Sequence, residues 1–375
     1  MPSKTRICFI LSHLPQGGAE RQTINLLKAL DYSRYEVTLV LYANTELFYK
    51  EVLDLPIQIL IHQSPRFSKV FRNISNVIYL RKVLVRNDFD ILHTLLFHNG
   101  FWVRIVAPRR YDQRIIYSVR NDLQDGSRFY VFFEKLLIRR SMAITNSLKA
   151  RDQLKALVGE KYLHKIFNIY NGFDLKRFNS DVPPEIGKEI IIGTVGRQTF
   201  QKNQIQILQA IKQLYEKYFL HFFLLGDKTK DQSYINQNYV EGNRLEKWVT
   251  ILDSQADIEI FYRRFNIFVL ASVYEGCPNV LFEAMLSRCL CIVSAGANSD
   301  NFLHDGINGL VYDGSTSMLV TKLENAIALL KSGGSVKIVE NGNRYVHDNF
   351  ALSQMVSRYE AAYDDIMNKR SICNG

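Results

Sequence analysis

Tyr274-Glu275-Gly276-Cys277-Pro278-Asn279-Val280-Leu281-Phe282-Glu283-Ala284-Met285 follows a short apolar run, Ile267–Ala271. Such a run, bounded by turn residues, reads as a buried strand. A helix is expected to begin near Asn279, whose side chain suits an N-cap. Val280 and Leu281 would then present the backbone N–H groups that a helix start offers to a phosphate. Glu283 lies four residues after Asn279, one turn along the same face. Glu275 stands on the turn itself. Two carboxylates thus flank a helix start that favours phosphate, where they can accept hydrogen bonds from sugar hydroxyls. Read singly, Glu283 also fits a residue that caps its own helix, and Glu275 a solvated turn residue.

The same alternation runs through the whole chain. Strand-like runs in the first half are Ile7–Leu11, Val37–Tyr42, Ile57–Ile61, Ile91–Thr94, Ile115–Val119, Ala143–Thr145 and Phe167–Tyr170. Those in the second are Ile190–Val195, Phe222–Leu225, Val249–Leu252, Ile267–Ala271, Cys291–Ser294 and Leu310–Tyr312. Helix-length segments such as Glu20–Leu30 and Asn203–Tyr218 lie between most of them, an order that specifies α/β parallel sheets covered by helices. At 375 residues the chain is too long for one ordinary core. The break is expected at 179–188, where Ser180-Asp181-Val182-Pro183-Pro184 reads as a linker. Residues 1–180 form one expected domain and 188–351 the other, with a last helix, 352–369, free to pack back onto the first.

Composition narrows the function classes. With 47% hydrophobic and 22% charged residues the chain is globular. No signal peptide is read, because Ser12 and His13 end the first apolar run early. No uncharged run approaches the roughly 18 residues of a membrane-spanning helix. Five cysteines lack metal-ligand spacing, so buried free thiols in a reduced, cytoplasmic compartment are expected. The net charge of +10 is uneven: residues 1–186 carry 28 Lys and Arg against 17 Asp and Glu, and residues 187–375 carry 19 against 20. The basic half calls for an anionic partner.

Two further motifs fall at strand ends, where ligands sit in doubly wound sheets. Gly17-Gly18-Ala19-Glu20-Arg21 follows the first strand and opens a helix; alone it fits an ordinary strand-to-helix turn equally well. Gly193-Thr194-Val195-Gly196-Arg197-Gln198-Thr199-Phe200-Gln201-Lys202-Asn203 follows the first strand of the second half. Arg197 can fork two phosphate oxygens and Lys202 adds a point charge, a pairing that suits a diphosphate.

Taken in order, these strings, with Asn171-Gly172-Phe173-Asp174, Leu225-Gly226-Asp227 and Gly306-x-Asn308-Gly309-Leu310, resemble glycosyltransferase family 4 over nearly the whole chain. The resemblance implies a GT-B fold, two Rossmann-like parallel-sheet domains facing each other across a cleft. It also implies a retaining hexosyltransferase-type enzyme with no bound metal or other cofactor. Arg197 and Lys202 would grip the diphosphate of a nucleotide-sugar, Glu275 hydroxyls of its sugar, and Glu283 its ribose. Gly196, Asp227, Asn279, Val280 and Leu281 would line the nucleotide site, and Gly17 and Gly18 the first domain's side. Where many relatives carry a histidine, this chain reads Arg120-Asn121-Asp122. An arginine cannot act as a base, which leaves charge stabilisation or acceptor binding. Gly226-Asp227-Lys228 departs from the family pattern as well. His93 and His98 follow the fourth strand; His98 is preferred as acceptor-site or proton-handling residue, beside a structural role for either.

The expected reaction moves a sugar from a nucleoside diphosphate, UDP by preference, to a hydroxyl of a glycan. No placed carboxylate nucleophile argues for double displacement. Residues 67–86 carry Lys69, Arg72, Arg81, Lys82 and Arg86 among apolar residues. With Arg104, Arg109 and Arg110 they form a basic amphipathic surface suited to an anionic bilayer, or an ordinary packed helix. A polyprenyl-linked acceptor in O-antigen, capsule or exopolysaccharide (surface polysaccharide or lipopolysaccharide) synthesis would explain peripheral placement on the inner membrane face. Competing readings are a sugar-nucleotide epimerase, which needs no acceptor, and a non-enzymatic protein whose basic half binds an anion or nucleic acid. No zinc-finger spacing or RNA-recognition aromatic motif is present, so nucleic acid is not the expected partner.

Overall fold

The computed structural model describes residues 3–12, 14, 17–42, 47–63, 68–120, 128–227 and 230–373. Two units divide the chain, one of residues 1–172 and 352–375 and one of residues 173–351. The first holds seven parallel strands: β1 Thr5–Leu11, β2 Tyr35–Leu41, β3 Gln58–Ile61, β4 Ile91–Leu95, β5 Ile115–Val119, β6 Ser141–Thr145 and β7 Ile166–Asn168. Their order is β3-β2-β1-β4-β5-β6-β7. The second holds six: β8 Ile190–Val195, β9 Leu220–Leu225, β10 Val249–Leu252, β11 Ile267–Leu270, β12 Leu290–Ser294 and β13 Leu310–Tyr312, ordered β10-β9-β8-β11-β12-β13. Every named pairing is parallel. Both units are Rossmann-like, with strand order reversing between β1 and β4 and between β8 and β11.

Strands covered on both faces read as unbroken apolar runs, and β1 shows why. Ile7, Phe9 and Leu11 enter one core with Ile24 and Leu27 of the helix Gly18–Ala29 and with Tyr359 and Tyr363. Cys8 and Ile10 point the other way, to Leu80, Leu84 and Val103. Tyr359 and Tyr363 lie on the last helix, Leu352–Cys373, which therefore packs on the first unit's sheet. The division falls at Gly172/Phe173, ahead of the expected 179–188. Phe173 packs tilted against Phe282 and Phe178 edge-on against Tyr262, and Ser287 Oγ donates to the Phe178 carbonyl (2.9 Å). Those aromatic contacts commit the segment to the second core before the proline pair is reached.

A buried ion pair ties two helices of the first unit. Arg104, on the helix Phe97–Val106, meets Glu134, on the helix Arg128–Leu137, through two bonds of 2.7 and 2.8 Å; neither side chain is exposed. Tyr117 donates to the same carboxylate, and its ring lies under the Arg104 guanidinium at 3.9 Å. Burial pushes the Tyr117 phenol far up and the Glu134 charge pushes it further, so it stays a donor. Arg104 thus cannot join a membrane surface, which corrects the expectation for that residue. Removing one member leaves a buried charge alone, at a cost of about 3–5 kcal/mol, whereas replacing both by apolar groups is often near neutral. Denaturant unfolding should therefore show Glu134→Leu losing about that much, and Arg104→Met/Glu134→Leu recovering most of it.

Candidate functional site

Ligands of doubly wound sheets lie beyond the strands' carboxyl ends, where strand order reverses. In the second unit those ends belong to β8 and β11. The chain leaves β8 through Gly196 (φ +150°) and β9 through Gly226 (φ +149°). A Cβ on Gly226 would lie 2.0 Å from the Gly196 carbonyl oxygen, so only glycine lets the two turns pass. Buried amides brace them: Gln204 Nε2 donates to the Arg197 carbonyl (3.0 Å), and Asn236 Nδ2 to Gln198 Oε1 (3.0 Å). The Gln198 N–H donates to the Asp227 carbonyl (3.0 Å). Asp227 and Arg197 are exposed, and among the described residues the Arg197 guanidinium has no hydrogen-bond or ion-pair partner.

The loop after β11 is stitched to the loop after β8. The Val273 N–H donates to the Gln201 carbonyl (2.8 Å), and Gln201 Nε2 to the Tyr274 carbonyl (3.0 Å). This seats Lys202 Nζ 2.5 Å from Glu275 Oε1, with side chains 15% and 9% exposed. Ser272 Oγ donates to the same oxygen (2.6 Å), and Ser299 Oγ to the Glu275 carbonyl (3.0 Å). The helix beyond spans Asn279–Leu286, and Pro278 occupies the cap position without a side-chain cap bond. Asn279 is thus the first helical residue and not the N-cap expected for it. Proline supplies the preset φ (−77°) with which a chain enters a helix. Of the amides at this start, the Leu281 N–H already donates to the Pro278 carbonyl (3.1 Å); Val280 is half-buried and the Leu281 side chain is buried. Glu283 Oε2 accepts from the buried Tyr262 hydroxyl (2.9 Å). The structure therefore brings Gly196, Lys202 and Glu275 together, with Glu283 one turn into the helix that follows.

In the first unit the candidates stand on separate strand ends. Gly17 caps the helix opened by Gly18 with extended backbone (φ −136°), and Arg21 pairs with Glu51 (2.8 Å). His98 is exposed, and its Nε2 accepts from the Trp102 indole (3.2 Å). Arg120 donates to Asn171 Oδ1 (3.0 Å) and to the Tyr359 hydroxyl (3.1 Å); Asn121, Asp122 and Lys228 fall outside the described residues. His93 is no ligand-facing residue: it is 1% exposed, bonded to the Tyr363 hydroxyl (2.8 Å) and tilted against Phe9. Burial, with Arg120 nearby, lowers it to about 3. The helix expected over 67–86 spans Lys69–Arg86, capped by Ser68; Phe67 falls outside the described residues. Phe71 (67% exposed) and Ile78 (62%) stand on its outer face, where Phe71, Ile74, Ile78 and Lys82 line a groove of about 730 Å³ with His62 and Tyr79. Arg110 spans the carbonyls of Leu84 (2.8 Å) and Asn87 (2.8 Å) at this helix's end.

Ser272, Tyr262, Asn171 and Tyr359 hold the candidate residues and were not singled out from sequence. Ser272, directly after a strand and three before Glu275, carried a readable signal; the other three act across long sequence distances. Among the described residues no group of three or more His, Cys, Asp or Glu is placed to hold a metal, and no helix is long and apolar enough to cross a membrane.

Residues 16–177 match the model of Glycosyltransferase Family 4 and residues 189–328 that of Glycosyl transferases group 1. The chain belongs to glycosyltransferase family 4. Among relatives of this transferase is an α-1,3-galactosyltransferase of Escherichia coli, named for UDP-Gal and α-D-GlcNAc-diphosphoundecaprenol. It is 24% identical over 80% of this chain and 82% of its own. An α-1,4-N-acetyl-D-galactosaminyltransferase of Campylobacter jejuni, named for a diphosphoundecaprenol-linked glycan, is 23% identical over 92% of each chain. The Anabaena protein Alr3699/HepE, solved with UDP and glucose, superposes with a TM-score of 0.80 at 18% identity, covering 96% of this chain and 100% of its own. The family 4 transferase thus has the GT-B fold, and the epimerase and non-enzymatic readings fall.

His93 also sets a pH dependence. The folded protein keeps it neutral down to about 3, while the unfolded chain takes up a proton below about 6.5. Between these values the unfolded state binds more protons, so stability falls as pH falls, by at most about 1.4 kcal/mol per pH unit from this group. Denaturant midpoints for His93→Gln should accordingly decline less between pH 6.5 and 4 than those of the parent.

Proposed function

We propose that the transferase moves a sugar from a UDP-sugar to a hydroxyl of a polyprenyl-diphosphate-linked glycan, with retention and without a bound metal, in surface polysaccharide assembly. The observation that carries this reading is the Lys202–Glu275 pair at the reversal of the second sheet, beside the start of the helix Asn279–Leu286. Cleavage builds negative charge on the leaving diphosphate. Exposed Arg197 offers it a planar fork. Lys202 has three N–H donors and can serve Glu275 and a phosphate oxygen together. Stabilising that leaving group is the main catalytic work. Glu275, held through one oxygen, accepts from hydroxyls of the donor sugar, and Glu283 from the ribose. UDP is favoured because Alr3699/HepE was solved with it and the E. coli relative is named for UDP-Gal. Both curated relatives described above are named for diphosphoundecaprenol-linked substrates.

On the acceptor side, Arg120 binds or stabilises charge and His98 handles the proton or the acceptor; both leave the first sheet at its carboxyl edge. A lipid-linked acceptor requires a bilayer within reach. The helix Lys69–Arg86 supplies exposed Phe71, Ile74 and Ile78 beside Arg72 and Lys82, the pairing of apolar and basic groups that anionic interfaces bind. The enzyme would therefore work at the cytoplasmic face of the membrane. Phe71→Glu/Ile78→Glu, which alters only exposed positions, should abolish flotation with phosphatidylglycerol vesicles and leave nucleotide binding intact; unchanged flotation would refute docking through this helix.

Thermal unfolding with UDP, GDP, ADP and CMP tests the donor class. At about a hundred times its dissociation constant, a ligand adds roughly 2.7 kcal/mol, several degrees in Tm. UDP should give that shift, and Arg197→Ala/Lys202→Ala should lose it. Glu275→Ala should keep its fold and lose transfer; full activity would sink the site assignment.

A further inference from the structure

Tyr262 closes the short helix Ile258–Tyr262 and is wholly buried. Its ring packs against Phe178, Phe265 and Phe268 with centroids 5.8 to 6.0 Å away. A phenylalanine would satisfy that packing. The hydroxyl is the departure, since a polar group buried there costs free energy without a partner. Its partner is Glu283 Oε2, at 2.9 Å. Burial first, and the Glu283 charge after it, push the phenol far above its ordinary range, so it remains protonated and donates. The ring is also held from its backbone, where Cys289 Sγ donates to the Tyr262 carbonyl (3.2 Å). A glutamate has three side-chain rotors, and ordering them during binding weakens a complex. A fixed donor at one oxygen orders the carboxylate when the protein folds.

We propose that Tyr262 is a positioning residue for the donor nucleoside: it takes up one oxygen of Glu283 and sets the direction in which that carboxylate meets the ribose hydroxyls. The inference rests on the reading of Glu283 as the ribose ligand. It makes a specific demand, because only ligands that carry ribose hydroxyls should notice the loss of the phenol.

The test compares, by calorimetry, the nucleoside diphosphate selected above with its 2′,3′-dideoxy analogue. The unaltered enzyme should favour the ribose form. Tyr262→Phe deletes one oxygen and keeps the ring. It should weaken the ribose form roughly tenfold, the scale of one hydrogen bond to a charged group. The dideoxy form should change little, so the ratio collapses. Glu283→Gln should collapse the same ratio, and adding Tyr262→Phe to it should do no further harm. A Tyr262→Phe enzyme that keeps the ratio overturns the inference, as does equal weakening of both ligands, which marks a purely structural residue. If Glu283→Gln collapses the ratio and Tyr262→Phe does not, only Tyr262 is dismissed. If the unaltered enzyme does not distinguish the ligands, the ribose role of Glu283 falls and this inference with it. Thermal unfolding checks that the variants fold. Should Tyr262→Phe not fold, 3,5-difluorotyrosine at 262 keeps the ring and changes donor strength; an unchanged ratio there also overturns the proposal.

Discussion

Lys202 and Glu275 meet at 2.5 Å because two loops leave a parallel sheet on either side of the point where its strand order reverses. Neither charge is at ease alone in so enclosed a place, since a half-buried ammonium or carboxylate loses hydration that only an opposite charge or a donor restores. Each supplies the other, and Ser272 adds a second donor to the shared oxygen. The surrounding backbone is arranged to permit this contact. Gly226 passes the Gly196 carbonyl at a distance no side chain would allow. Asn203 adopts φ +50°, a conformation asparagine tolerates better than most residues, and so starts a helix directly after Lys202. Loop conformation, glycine placement and buried amides are all conditions of one contact between two side chains.

The first unit obeys a different constraint. Its strongest charge pairing, Arg104 with Glu134, lies wholly inside and fixes two helices to each other. The residues at its carboxyl edge are held one by one: Arg120 by Asn171 and Tyr359, His98 by Trp102. Tyr359 comes from the last helix, so the chain's end returns to brace a residue that leaves β5. One sheet presents interlocked groups and the other separately supported ones. On the proposed assignment of donor to the second sheet and acceptor to the first, that difference fits a diphosphate that is chemically constant and an acceptor glycan that varies.

The strands were legible because parallel sheets bury both faces, which turns each strand into an apolar run bracketed by turn residues. All thirteen expected runs overlap β1 to β13. Lys202 and Glu275 were legible as strand-end residues, although their direct pairing was not. What stayed hidden depended on contacts distant in sequence. Arg104 sits in a basic stretch and reads as a surface charge until Glu134, thirty residues on, is placed against it. His93 resembles a site residue until Tyr363, 270 positions away, takes its Nδ1. Side-chain preference puts Asn279 at the helix cap, whereas Pro278 holds that position and Asn279 begins the helix.

Charge bookkeeping along the chain explains where the basic excess of the first half must appear. Many of its arginines are already answered: Arg104 by Glu134, Arg6 by Asp88 and Asp90, Arg34 by Glu360 and Asp364, and Arg21, with Lys28, by Glu51. With these arginines paired, the basic surplus stands out where acidic residues are missing. Residues 69–86 contain five basic residues and no Asp or Glu. The same helix exposes Phe71, Ile74 and Ile78, which an aqueous surface gives no reason to collect on one face. Unanswered positive charge and uncovered apolar area have different physical origins, and a partner that satisfies both must be anionic at its surface and apolar just beneath it. An anionic bilayer, the partner proposed above for this helix, would meet both conditions at once, whereas a soluble polyanion would meet only the first.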